Sequence, residues 1–116
     1  MDDISTSGVT ILAELLNGKV ISGVIDARWL NIRASELAAL TGGDAAENAA
    51  HIEGILSGET KGAKRDLTIV NAAGGFVVAG LARDMSEGIE LARTQIDSGR
   101  ALEKLRAMQQ FRPVVA

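Results

Sequence analysis

Two carboxylates stand side by side near the start of the chain, Asp2 and Asp3, followed by Ile4 and the hydroxyl-bearing Ser5, Thr6 and Ser7. Such a pair suits Mg2+, which takes only one or two protein carboxylates and completes its shell with water and substrate phosphates. The plainer reading is a solvated, mobile chain start. Other candidates offer less. His51 is the single histidine and cysteine is absent, so nitrogen and sulfur ligand sets cannot be assembled; His51, near Glu47 and Asn48, reads as structural or exposed. Thr41-Gly42-Gly43-Asp44 precedes a helical segment and could present amides to a phosphate, but Asp44 already caps that helix and would repel a second anion. Lys64-Arg65 is a two-residue basic step beside Asp66, too little for an anion cradle by itself. Ala72-Ala73-Gly74-Gly75 lacks the GxGxxG or GxxxxGK[ST] spacing of a nucleotide loop.

The elements that must position these residues centre on residues 66–81, DLTIVNAAGGFVVAGL, where only Thr68 and Asn71 interrupt the apolar run after Asp66. Residue chemistry leaves two readings open. Residues 67–70 could be a buried strand entering a glycine loop, with a second short strand at 76–78. The preferred reading is a helix capped by Asp66, with Leu67, Val70, Gly74, Val77, Val78 and Leu81 on one face and an equally apolar opposite face, as in a helix buried all round. Gly74 and Gly75 would then admit a close-packed neighbour.

Before that stretch, Asn17-Gly18 supplies positive φ at both centres of a type I′ turn, so residues 10–16 and 19–26 are expected to pair as a hairpin that helices cover. Trp29 and Leu30 are expected to anchor the connection to the core. Residues 35–40 suit a short helix capped by Ser35, with Leu37 and Leu40 inward. Asp44 and Glu47 match a capping box, and Ala45, Ala49, Ile52 and Leu56 form a stripe ending at Ser57-Gly58. Residues 59–65 read as a charged surface loop. Asp84 and Glu87 form a second capping-box pattern, ahead of a stripe of Met85, Ile89, Ala92 and Ile96. A last helix over residues 100–110 turns Ala101, Leu102, Leu105 and Met108 inward. Pro113 marks a loose tail, which divides the chain into a folded unit at 1–111 and a tail at 112–116.

At 116 residues, 47% of them hydrophobic and only one a proline, the composition is that of one globular unit with a real core. The aromatic share of 3% requires that core to be built from Ala, Val, Ile and Leu. A net charge of −3 with signs interspersed provides no basic field for nucleic acid or an anionic membrane. The acidic, polar MDDISTSGV start is unlike a signal peptide, and the longest apolar run is too short to be a convincing span, so a cytoplasmic protein is expected.

The segments together resemble the C-terminal portion of the anthranilate phosphoribosyltransferase family. The resemblance rests on Asp2-Asp3-Ile4-Ser5, Gly42-Gly43-Asp44 with Glu47-Asn48-Ala49, Ser57-Gly58-Glu59, Arg65-Asp66, Asn71-Ala72-Ala73 with Val78-Ala79-Gly80, and Glu87-Gly88 through Leu91-Ala92-Arg93 to Ile96-Asp97-Ser98-Gly99. It implies an α/β fold, here the C-terminal part of the phosphoribosyltransferase α/β domain as a β-hairpin followed by packed helices, and it implies that residues 66–81 are helical. The activity implied is transfer of phosphoribose from phosphoribosyl pyrophosphate to anthranilate in tryptophan biosynthesis, with Mg2+ and release of pyrophosphate. An Asp-Glu pair before Ile-Ser contributes to metal binding in that family, and Asp2 and Asp3 occupy those positions, the second acid one methylene shorter. The resemblance assigns no catalytic or substrate-binding residue to this chain, because the family's phosphate loop and anthranilate contacts lie in the part that would precede residue 1. Thr41 to Asp44 matches a later helix start and not that loop. The chain is thus expected to be a fragment, inactive alone, whose partner is the missing N-terminal part of an enzyme that is a homodimer when complete. A non-catalytic interaction or scaffold module that keeps a remnant of the fold is the alternative.

Overall fold

Asn17 and Gly18 both take positive φ, 50° and 77°, and close an antiparallel hairpin of β1 (Thr10–Leu16) and β2 (Lys19–Ile25) in the register Leu16↔Lys19 to Thr10↔Ile25. The computed structural model of the protein describes residues 3–114, so Asp2 lies outside the described residues. The hairpin forms as expected, but no described helix covers it. Ile11 and Leu15 are 87% and 73% exposed, and opposite them on the same face Val24 and Val20 are 51% and 71% exposed. Leu16 and Ile21 on the other face are exposed too. Apolar residues on both faces are the pattern of a strand buried from both sides.

After β2, Asp26 caps a 3-10 turn, Ala27–Leu30, its carboxylate accepting from Arg28 N at 3.0 Å. Ala27 and Ile32 enter the core and Leu30 packs against it, whereas Trp29, expected as an anchor, is 69% exposed. In a four-residue turn only part of the circumference can face inward. The short helix α1 (Leu37–Leu40) follows Glu36 without a side-chain cap. Ser35 does not cap it; its amide donates to Thr6 O at 3.0 Å, and Leu37 is exposed.

Helix α2 (Ala45–Leu56) begins with the complete capping box: Asp44 Oδ1 accepts from Glu47 N at 2.9 Å, and Glu47 Oε2 accepts from Asp44 N at 3.0 Å. Its inward side is not the stripe expected. Ala45, Ala49 and Ile52 are exposed, Leu56 is half-buried, and Ile55 is the residue that reaches the core.

Helix α3 (Ala63–Val78) settles the central stretch as helical, but starts earlier than Asp66, from Gly62 at φ 86° with no side-chain cap. Asp66 sits in its first turn, where a carboxylate still complements the amide end. The start takes in residues 63–65, expected as surface loop, and Arg65 is only 8% exposed. The helix is buried on one side, through Arg65, Ile69, Val70 and Ala73, and Val78 is 90% exposed, so it is not enclosed all round.

Helix α4 (Met85–Asp97) packs along that side with Ile89, Ala92 and Ile96 buried, as its stripe required, and Met85 packed against the same core. The closest approach is at Gly88, where a Cβ would lie 2.8 Å from Ala73 O and 3.0 Å from Ala73 Cα. Of the glycines expected at a seam, Gly74 does abut a neighbour, Ile4, but Gly75 faces open space. Asp84 caps α4 through Glu87 N at 2.9 Å; the reciprocal bond runs from Arg83 N to Glu87 Oε2 at 2.7 Å, one residue off the capping-box pattern. Gly99, at φ 80°, leads into α5 (Arg100–Gln110), where Ala101 packs against the core, Leu102 and Leu105 are half-buried, and Met108 is exposed.

Candidate functional site

The segment that carries Asp3 is stitched to the rest of the fold, not loose. Ile4 N donates to Asn71 Oδ1 at 2.8 Å, and Asn71 Nδ2 donates back to Ile4 O at 3.0 Å. Ser5 N donates to Thr10 Oγ1 at 2.9 Å, Ser7 N to Ser5 Oγ at 3.0 Å, and Thr6 is buried with its carbonyl bonded to the Ser35 amide. Residues 4–7 are therefore tied to α3, to the start of β1 and to the approach to α1. Residues 4–7, expected as part of a mobile start, are held because β1 and α3 flank them and supply polar partners to their backbone.

At the end of this stitched segment Asp3 is exposed. Four residues on, Ser7 lines a recess of about 380 Å³ with Ala34, Ser35, Glu36 and Leu37, a lining that does not include Asp3, and its buried Oγ has no hydrogen-bond partner among the described residues. The carboxylate oxygens of Asp3 suit a hard cation such as Mg2+ better than a softer metal. Among the described residues no group of three or more His, Asp or Glu side chains gathers to cage a metal.

The other sequence candidates are accounted for structurally. His51 is exposed on α2. The Gly43 and Asp44 amides are taken by Asn48 Oδ1 at 3.0 Å and Glu47 Oε2 at 3.0 Å, so the Thr41 to Asp44 segment has no spare pair of donors for a phosphate. Lys64 Nζ donates to Thr41 O at 2.7 Å, and Arg65 Nη2 to Asp97 Oδ1 at 2.8 Å. That bond from Arg65, aided by the nearby charges of Arg65, Lys61 and Arg93, holds the Asp97 carboxyl below its ordinary range. Ala72 to Gly75 lie inside α3 and form no loop. Asn71 escaped a functional reading, although as one of two polar residues inside the apolar run it carried the one available signal.

The family model described as glycosyl transferase family, a/b domain, matches residues 1–102. The chain belongs to that family. It is 44% identical over 111 residues to the anthranilate phosphoribosyltransferase of Pelotomaculum thermopropionicum, covering 96% of this chain and 32% of that relative. The enzyme of the same name from Thermoanaerobacter sp. is 41% identical with the same coverage. Among solved structures, anthranilate phosphoribosyltransferase from Thermus thermophilus matches with a TM-score of 0.71 at 34% identity, over 74% of this chain and 26% of that one. The Saccharomyces cerevisiae enzyme in complex with 4-fluoroanthranilate matches with a TM-score of 0.82 over 91% of this chain and 31% of its own; at 23% identity this shows the fold alone. The chain spans about a third of the length of the curated relatives it matches. The family's α/β class agrees with a hairpin followed by helices.

Proposed function

We propose that the chain is the C-terminal portion of an anthranilate phosphoribosyltransferase, an enzyme of tryptophan biosynthesis that moves phosphoribose from phosphoribosyl pyrophosphate to anthranilate. The observation that carries this reading is the 44% identity to an enzyme of that name across 96% of the chain. On this reading Asp3, with Asp2, holds Mg2+. The bound ion would neutralise charge on the pyrophosphate leaving group. The chain's own contribution is to present Asp3 from a stitched segment at the edge of the helical layer, while the groups that hold both substrates belong to the part absent here.

The exposed hairpin supports the same reading. The chain exposes 8034 Å² at 12.1 kDa, where a folded monomer of that mass exposes about 6,000 Å². Its Cα radius of gyration is 15.5 Å, against about 13 Å for a compact domain of this length. The preceding part of the enzyme is the partner proposed for this surface, within a cytoplasmic enzyme that is a homodimer when complete.

Without that part the chain does not turn over, because aligning two substrates accounts for about 7–11 kcal/mol of such a barrier. Incubation of the pure chain with phosphoribosyl pyrophosphate, anthranilate and Mg2+ is expected to leave anthranilate unconsumed. Product from the chain alone, in a preparation free of host enzyme, overturns the assignment of chemistry to the absent part.

A further inference from the structure

We infer that Asn71 is the positioning residue that fixes where Asp3 stands, so that the acidic segment is presented by α3 and does not hang free from the chain start. Its amide makes three bonds at once: it accepts from Ile4 N at 2.8 Å, donates to Ile4 O at 3.0 Å and donates to Leu67 O at 3.0 Å. The bond to Leu67, one turn back on the same helix, holds the side chain against α3 and stops the amide from rotating. The other two grip residue 4 by both its backbone groups. Ile4 N belongs to the peptide that joins it to Asp3, so the grip sets the plane from which the Asp3 Cα hangs. Turning the amide over would set Nδ2 against the Ile4 N–H and Oδ1 against two carbonyls, so the network admits one orientation.

The seat has a second, apolar contact. At Gly74, one turn beyond Asn71, a Cβ would come within 2.8 Å of Ile4 Cδ1, so the glycine leaves the notch in which the Ile4 side chain rests. Leu67, Asn71 and Gly74 thus form one stripe at i, i+4 and i+7, facing residue 4. An aspartate at position 71 would lose both donors and a serine could not span both groups of Ile4. The amide is the chemistry the seat requires.

This inference rests on the reading of Asp3 as a cation ligand, and the test separates the two. Mn2+ is titrated as the probe into the 15N-labelled 116-residue chain, together with Asn71→Leu, Gly74→Val and Asp3→Asn variants. Amide exchange at Ile4 reports the grip, and paramagnetic broadening at Ile4 and Ser5 reports the cation. Wild-type Ile4 should be protected from exchange, and both Asn71→Leu and Gly74→Val should remove that protection while the signals of α4 and α5 stay in place. The Mn2+ concentration giving half-maximal broadening should rise about tenfold in both variants, the loss typical when a group that orients a metal ligand is removed. Asp3→Asn should abolish the broadening and keep Ile4 protected. Unchanged Ile4 protection in Asn71→Leu, or an unchanged Mn2+ response in a variant that has lost protection, overturns the positioning role. If no chain broadens yet Asn71→Leu still frees Ile4, cation binding by Asp3 in this chain is overturned and the anchoring stands.

Discussion

The carboxylate of Asp26 is buried where the hairpin meets the helices, and it keeps its charge because Arg28 donates to it from both backbone and guanidinium. The Arg28 side-chain bond, with the backbone bond second, brings the Asp26 pKa down to about 2. Glu87 is lowered as well, by the Arg83 amide and then the Arg83 side chain, and Asp97 by Arg65. A folded pKa below the unfolded one means that the folded state binds fewer protons through the intervening range. The stability Asp26 contributes is therefore present above about pH 4 and is lost as pH falls toward about 2, and Glu87 and Asp97 lose theirs in the same direction as they are protonated. Melting temperature measured from about pH 5 to about pH 2 should fall, and Asp26→Asn should flatten part of that fall; an equal slope in both would remove Asp26 from the account. Two glycines give a second residue-scale contrast. Gly88→Ala forces a methyl onto the Ala73 backbone and should cost about 1–3 kcal/mol in urea unfolding. Gly75→Ala meets nothing within 4 Å on a helix and should stabilise by about 1 kcal/mol.

Among the helices, α3 and α4 make the broadest contact, and the Arg65 to Asp97 pair locks the start of one to the end of the other. Arg65 is buried with Nη1 unpartnered among the described residues while Asp97 is exposed, so removing the acid strands a charge and removing the base does not. Asp97→Ala should therefore lower the melting temperature more than Arg65→Met, and the reverse order would contradict the pairing. At α2, Asp44→Ala should cost about 1 kcal/mol and speed amide exchange in that helix's first turn. These helices also show what residue patterns reveal. Local signals were legible: Asn17-Gly18 placed the turn, Asp44 and Glu47 the start of α2, and the Met85, Ile89, Ala92 and Ile96 stripe the buried side of α4. Signals that depend on a neighbour were not. Gly62 starts α3 with backbone alone, so nothing in its side chain announced the cap. Gly75 and Gly88 are equally small, and only the placement of Ala73 says which is the seam. For the proposed site, the acidic pair rests on residue type and resemblance, while the Asn71 grip joins residues 67 positions apart and has no local signature.

For the whole molecule, the surplus of exposed surface lies in part on a hairpin apolar on both faces, with Ile11, Leu15, Val20 and Val24 on one side and Leu16 and Ile21 on the other. Helices elsewhere in the chain could not have been foreseen to leave it bare, because alternation within a strand shows that a face must be covered and not by what. The family relationship supplies the covering proposed here, since relatives are about three times as long. Reconstitution tests the proposed role of the chain: it is mixed with a separate polypeptide carrying the N-terminal two-thirds of the Pelotomaculum thermopropionicum relative, and anthranilate consumption is followed with phosphoribosyl pyrophosphate and Mg2+. Turnover is expected only in the mixture, and is lost when Asp2→Asn and Asp3→Asn are combined while the two polypeptides still co-elute. Co-elution without turnover, or turnover indifferent to those two substitutions, would contradict that role.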